Sequence, residues 1–142
     1  MPQVDFYILP SADPAARLSF ACKLTEKAWR LGHRVYLYCQ DAAQRDALDA
    51  RLWSYKSAAF LPHDRIEEDA DTPIALGLDD APGNHHDLLI NLALVAPPFC
   101  ERFARIAELV VSEPAIRQAT RASYRFYRER GYPLQDHRLP RI

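Results

Sequence analysis

Glycine is scarce, with four in 142 residues, and none falls where a nucleotide-binding fold would need one. The stretch after the first apolar run, PSADPAAR at 10–17, has no glycine to let backbone approach a pyrophosphate. No G-x-x-x-x-G-K-[ST] occurs anywhere in the chain. Cysteine is equally sparse. Cys22, Cys39 and Cys100 are three in number, far apart and without a Cys-x-x-Cys spacing, which excludes a disulfide framework and a dithiol redox motif. They read as small core residues of a protein kept in a reducing, cytoplasmic setting. No run approaches the roughly 18 apolar residues of a bilayer span. The opening MPQVDFYILP has no positively charged start, so it reads as neither signal peptide nor membrane anchor. Repeats and low-complexity segments are also missing.

What is present has ordinary proportions: 49% hydrophobic, 26% charged and a net charge of -1. That length and composition suit one domain with a real core. The distribution of charge says more than its sum. Residues 113–142 hold seven arginines against three acids, about +4, whereas residues 1–112 hold eleven basic and sixteen acidic residues, about -5. Any anion-binding role is therefore localised to the C-terminal part.

The apolar patterning predicts alternating strands and helices. Val4–Leu9 is a strand ended by Pro10. Asp13-Pro14 opens a helix whose stripe is Leu18, Ala21, Cys22, Thr25, Ala28 and Trp29, with Gly32 as its stop. His33–Cys39 is a second strand. Asp41 with Gln44 is a capping pair for a helix through Leu52 and Trp53. Ala59-Phe60-Leu61 is expected as a short third strand ended by Pro62, followed by an acidic loop over 64–73. Further strands are expected at Ile74–Leu78 and Leu88–Leu92, with a turn-rich loop at 79–87 between them. Pro97-Pro98 is expected to open a short helix carrying Phe99, Phe103 and Ile106, and Leu109–Val111 is the last strand. Glu113 and Pro114 then start a helix that Gly131 stops. The fold class is α/β, with a mostly parallel sheet and crossover helices. The domain is expected to span 1–132, with 133–142 an irregular tail.

Few residues suggest chemistry. His85-His86-Asp87 is better read as a polar loop than as a metal site, since neighbouring histidines point apart and no further ligand has a familiar spacing. His63 has no serine or cysteine in a nucleophile context near it. Glu67, Glu68, Asp69 and Asp71 read as a solvated loop. No catalytic, cofactor or metal site emerges. Two features remain. On the last helix Arg117, Arg121, Arg125 and Arg128 recur at four, four and three, forming a row of guanidinium groups beside Tyr124, with only Glu129 to oppose them inside the helix. This is either an ordinary solvated face or a site for an acidic partner. Trp53 and Phe60-Leu61-Pro62 either cap the core or form an apolar docking patch.

An ordered set of motifs resembles one family. It comprises Y-x-L-P at 7–10, W-R-x-G-x-R-V at 29–35, and L-W followed by S-x-x-F-L-P-H within 52–63. It continues with D-L-L-I-N-L at 87–92 and R-x-x-Y-R-x-Y-R-x-x-G-Y at 121–132. The set resembles the chi subunits of bacterial DNA polymerase III over about residues 3 to 132. The resemblance implies a non-catalytic, Rossmann-like three-layer protein of the clamp-loader complex, associated with the nucleoid through the replisome. It implies two partners: the psi subunit, or a helicase using the same surface, and the acidic C-terminal tail of single-stranded DNA-binding protein, which ends in a Phe with a free carboxylate. DNA would be reached only through that protein. By the last motif, the tail-binding positions fall on Arg121, Tyr124, Arg125 and Arg128, with Arg117 one turn earlier. Family members often carry Lys at positions 117 and 125, where this chain has the planar fork of Arg. The psi-binding surface falls on Trp53 and Phe60, with Leu61 and Pro62 beside them. Two other readings are a direct nucleic-acid binder using the basic helix and, with less in its favour, a small nucleotide-binding enzyme.

Overall fold

The computed structural model describes residues 1–55, 60–78 and 83–141. Seven strands form one sheet: β1 (Gln3–Ile8), β2 (Val35–Tyr38), β3 (His63–Arg65), β4 (Ile74–Gly77), β5 (Leu88–Asn91), β6 (Arg105–Val110) and β7 (Leu134–Arg138). Their order is β3-β4-β2-β5-β6-β1-β7, and every neighbouring pair is parallel, so the sheet is wholly rather than mostly parallel. The helices are α1 (Ala15–Arg30), α2 (Ala42–Ser54) and α3 (Pro114–Glu129).

Parallel strands need crossovers, and the crossovers cover both faces. The apolar character of β2 and β4 follows, since every residue of each is buried. Alternate residues of the strands feed two cores. Leu37, Leu76, Ile90 and Leu109 pack with Leu18, Ala21 and Leu48 of α1 and α2. Val4, Phe6, Tyr36, Leu89 and Ile106 pack on the other face with Phe103 and with Tyr127 of α3. Together they make the expected three layers.

The caps follow the sequence. Asp41 accepts the Gln44 backbone N–H (2.8 Å), while the Gln44 side chain takes the N–H of Gln40 (2.7 Å). Glu113 accepts from Ala115 and Ile116 at the start of α3, ahead of Pro114 in its first turn. Gly131 has φ +77°, and the Tyr132 N–H reaches back to the Tyr127 carbonyl (3.2 Å), closing the helix.

Three expectations are corrected. The third strand is not at Ala59–Leu61. Residue 59 lies outside the described residues, Leu61 is a core side chain, and the strand begins after Pro62, at His63. β3 takes the first residues of the expected acidic loop because an edge strand needs no apolar run. The segment after Pro97-Pro98 forms only a three-residue 3-10 turn, Cys100–Arg102, and Ile106 belongs to β6, which already begins at Arg105. The apolar spacing at 99, 103 and 106 suited a helix equally well, but β1 and β5 both need β6 as a partner. Finally, 133–142 is not an irregular tail. Residues 134–138 are β7, paired along β1 from Val4↔Leu134 to Ile8↔Arg138, so α3 is the last helix and not the last element. Its sequence, LQDHR, shows no apolar alternation because it is a solvent-facing edge.

Candidate functional site

On α3 one flank is committed to the core. Ile116, Ser123 and Tyr127 are buried. Tyr127 donates to the Glu108 carboxylate on β6 (2.6 Å), which also accepts from Asn91 Nδ2 on β5 (2.8 Å). Burial pushes the Glu108 carboxyl up to about 7, against the opposing pull of those two hydrogen bonds and of Arg17. Burial, followed by the charge of Glu108, drives the Tyr127 hydroxyl well above its usual range. The pair therefore works as a hydrogen-bonded tie between helix and sheet.

The opposite flank of α3 is open. Arg117, Arg121, Arg125 and Arg128 are all exposed, and among the described residues none has a side-chain hydrogen bond or ion pair. Arg130, by contrast, is spoken for: it lies over the Phe126 ring (4.4 Å to the centroid) and 3.9 Å from Glu101. Tyr124 is 37% exposed and its ring lies 5.4 Å from that of Phe6 on β1. The row thus combines uncompensated cations with an aromatic rim seated on the sheet. Phe6 was not legible as part of this surface; its only sequence signal is its place in a strand.

Across the molecule, Trp53 in the last turn of α2 is 61% exposed and Phe60 is 67% exposed, with ring centroids 6.1 Å apart. His63 completes the cluster, its ring 4.7 Å from that of Trp53. It is fixed by donating Nδ1–H to the Leu61 carbonyl (2.6 Å) and by Asp49, 3.1 Å from Nε2. Leu61 does not belong to the exposed surface: at 2% exposure it fills the core beneath, and Pro62 is half-buried. Its role is to hold the Phe60 backbone in place. The exposed patch is thus Trp53 and Phe60, with Pro62 at its margin and the His63 side chain, 1% exposed, packed beneath Trp53. Such aromatic pairs outside the core are the usual anchors of protein interfaces.

The two surfaces lie toward opposite edges of the sheet, since β3 follows the aromatic patch and α3 packs across β6 and β1. Five strand spacings separate β3 from β1, roughly 24 Å at about 4.8 Å each.

Other candidate chemistry is absorbed by the fold. The turn after β1 is held by its own neighbours, as the Ser11 carbonyl accepts from Ser112 N–H (2.9 Å), and the Asp13 carboxylate already caps the Ala15 N–H at the start of α1. An acid at that position leaves no welcome for a phosphate. His85 is fully buried against the Thr72 carbonyl (2.7 Å), and Asp87 accepts the Arg34 N–H (2.7 Å). Burial raises the thiols of Cys22 to about 11 and of Cys39 to about 12, which keeps them unreactive. Among the described residues no group of His, Cys, Asp or Glu is arranged to hold a metal ion, and no helix is long and apolar enough to cross a membrane.

Comparison with known proteins gives one consistent result. Residues 1–135 match the family model described as "DNA polymerase III chi subunit, HolC". The chain is 67% identical over 142 residues to DNA polymerase III subunit chi of Pseudomonas aeruginosa, covering all of both chains. It is 33% identical over 132 residues to the subunit chi of Haemophilus influenzae (91% of this chain, 92% of the relative). To that of Escherichia coli it is 28% identical over 141 residues (94% and 96%).

Proposed function

The chain belongs to the family of DNA polymerase III chi subunits, replication accessory proteins, and from that premise we propose that it is a non-catalytic adaptor with two docking surfaces. The α3 row of Arg117, Arg121, Arg125 and Arg128 with Tyr124 takes the acidic C-terminal tail of single-stranded DNA-binding protein. The Trp53–Phe60 patch takes the psi subunit, or a helicase using the same face, and so ties the chain to the clamp loader. The observation that carries the reading is the row of four exposed arginines, with Glu129 the one acid inside the helix to oppose them, beside a half-exposed tyrosine. Guanidinium groups pair with carboxylates through charge-assisted hydrogen bonds, and the tyrosine ring offers contact for the terminal Phe. The separation of the surfaces lets both partners bind at once.

A fluorescence-anisotropy titration with a labelled tail peptide tests this, alongside the same peptide lacking its terminal Phe. Binding of the first and not the second supports the reading. If neither binds at low salt, the tail-binding role is refuted. The unpaired arginines also suit a second reading, direct contact with nucleic acid. That reading predicts binding to bare single-stranded DNA, with affinity falling steeply as salt rises.

A further inference from the structure

The last strand borders the basic row, and its outer edge is open. Among the described residues β7 pairs only with β1. At its ends the Val4 N–H donates to the Pro133 carbonyl (2.9 Å) and the Leu139 N–H donates to the Ile8 carbonyl (3.0 Å). In a parallel ladder this phase turns the backbone groups of residues 135 and 137 toward β1, and those of Leu134, Asp136 and Arg138 outward. Among the described residues, no backbone group meets these outward ones.

Side chains at the same three positions share a face with Val4, Phe6 and Ile8, their register partners, and this is the α3 face. Leu134 packs on that core, whereas Arg138 is exposed and adds a fifth cation to the α3 side. Tyr124 and Arg130 leave α3 on opposite flanks of the Ile116–Ser123–Tyr127 stripe. Arg130 reaches Glu101, in the segment between β5 and β6, so the Tyr124 flank is the one turned toward β7. An open strand edge thus runs beside a helix flank carrying uncompensated arginines and an aromatic rim.

We propose that an acidic peptide docks here in extended form, adding itself to β7 as an eighth strand. Its alternate side chains then lie on the α3 face, where carboxylates meet Arg138 and the arginine row. Main-chain hydrogen bonds to the outward groups of Leu134, Asp136 and Arg138 hold its backbone. Charge selects the occupant: Arg117, Arg121, Arg125, Arg128 and Arg138 gather on this side, against Asp136 on the strand and Glu129 at the end of α3. The length of the edge selects it further. Pro133 and Pro140 bracket the strand and leave room for about five residues, which suits a short terminal tail and not a long strand from a folded domain. This inference rests on the tail-binding reading above and specifies how that tail is held.

Peptide backbone methylation separates the two ideas. A series of tail peptides, each N-methylated at one amide, is titrated against the intact protein. Strand addition predicts an alternating pattern, with at least tenfold loss at every second amide and near-unmodified affinity between. If the unmodified peptide binds and methylation makes no difference at any position, strand addition is overturned while tail binding stands. If the unmodified peptide does not bind, both fall. On the protein side, Asp136→Pro removes an outward N–H without removing a bond to β1. It is expected to cost at least tenfold in affinity, although it also removes a repelling carboxylate. Asp136→Ala, which removes the carboxylate alone, is expected to bind the peptide as well as or better than the parent. Equal binding by the two variants overturns the proposal. So does a dimeric parent that Asp136→Pro converts to monomer, because the edge would then be a seam between two copies.

Discussion

Glu108 is buried under α3 with a carboxyl raised to about 7. In the unfolded chain it would titrate near the ordinary carboxylate value, so between about pH 4.5 and 7 the folded state holds the extra proton. Its contribution favours the fold at low pH and is lost as pH rises through about 7, an effect on the order of 3 kcal/mol. Glu108→Gln keeps the acceptor oxygen for Tyr127 and Asn91 but cannot ionise. Its melting temperature should therefore gain on the parent's as pH rises from 5 to 8, and a constant gap between the two curves would show that Glu108 does not titrate in this window. On the exposed flank, Arg125→Ala should weaken tail binding by about 1–3 kcal/mol, the worth of a charge-assisted contact, with an unchanged melting temperature. An unchanged dissociation constant would remove Arg125 from the site. The arginines and Tyr124 were legible from spacing alone, because a helix converts sequence period directly into a face. Phe6, Arg138 and Glu108 were not, since what matters about each is its neighbour across the sheet.

Helices and buried strands were largely legible in the chain, and the edges of the sheet were not. Val35–Tyr38, Ile74–Gly77 and Leu88–Asn91 are buried on both faces and so carry continuous apolar sequence. His63–Arg65 and Leu134–Arg138 lie at the two margins, where solvent tolerates polar side chains and only backbone pairing defines the strand. β7 nonetheless has structural work to do. It covers one side of β1, and His137 stacks on Tyr7 (4.9 Å between centroids) while its Nε2 lies 2.9 Å from Asp5, the carboxylate that also meets Arg105 at 3.0 Å. A chain ended after Tyr132 loses this cover and leaves the buried Asp5 with Arg105 and a long hydrogen bond from Gln3 (3.4 Å). A fall of at least about 5 °C in melting temperature is expected, since about 1 kcal/mol moves a domain of this size by some 2–4 °C. A melt unchanged by calorimetry would mean that β7 is dispensable.

On the proposed reading, the whole molecule is a spacer with a docking surface toward each edge. Surfaces this far apart with no shared side chain should act independently. Trp53→Ala should abolish pairing with psi and leave the tail affinity within about 0.5 kcal/mol of the parent, and Arg125→Ala should do the reverse. Isothermal titrations of each single variant and of the double variant against both partners would measure this; loss of both activities in Trp53→Ala would mean that the indole supports the core despite its exposure. The order of the sheet has one more consequence, and it concerns synthesis. β1 is the first strand made, yet its neighbours are β6 and β7, about 100 and 130 residues further along. At about 5–20 residues per second, Val4–Ile8 emerges from the ribosome roughly 5–20 seconds before any of its native pairing can begin. The nascent chain therefore carries an unpaired apolar strand through most of its translation, and the high contact order that results makes closure of the sheet around β1 a late step in folding.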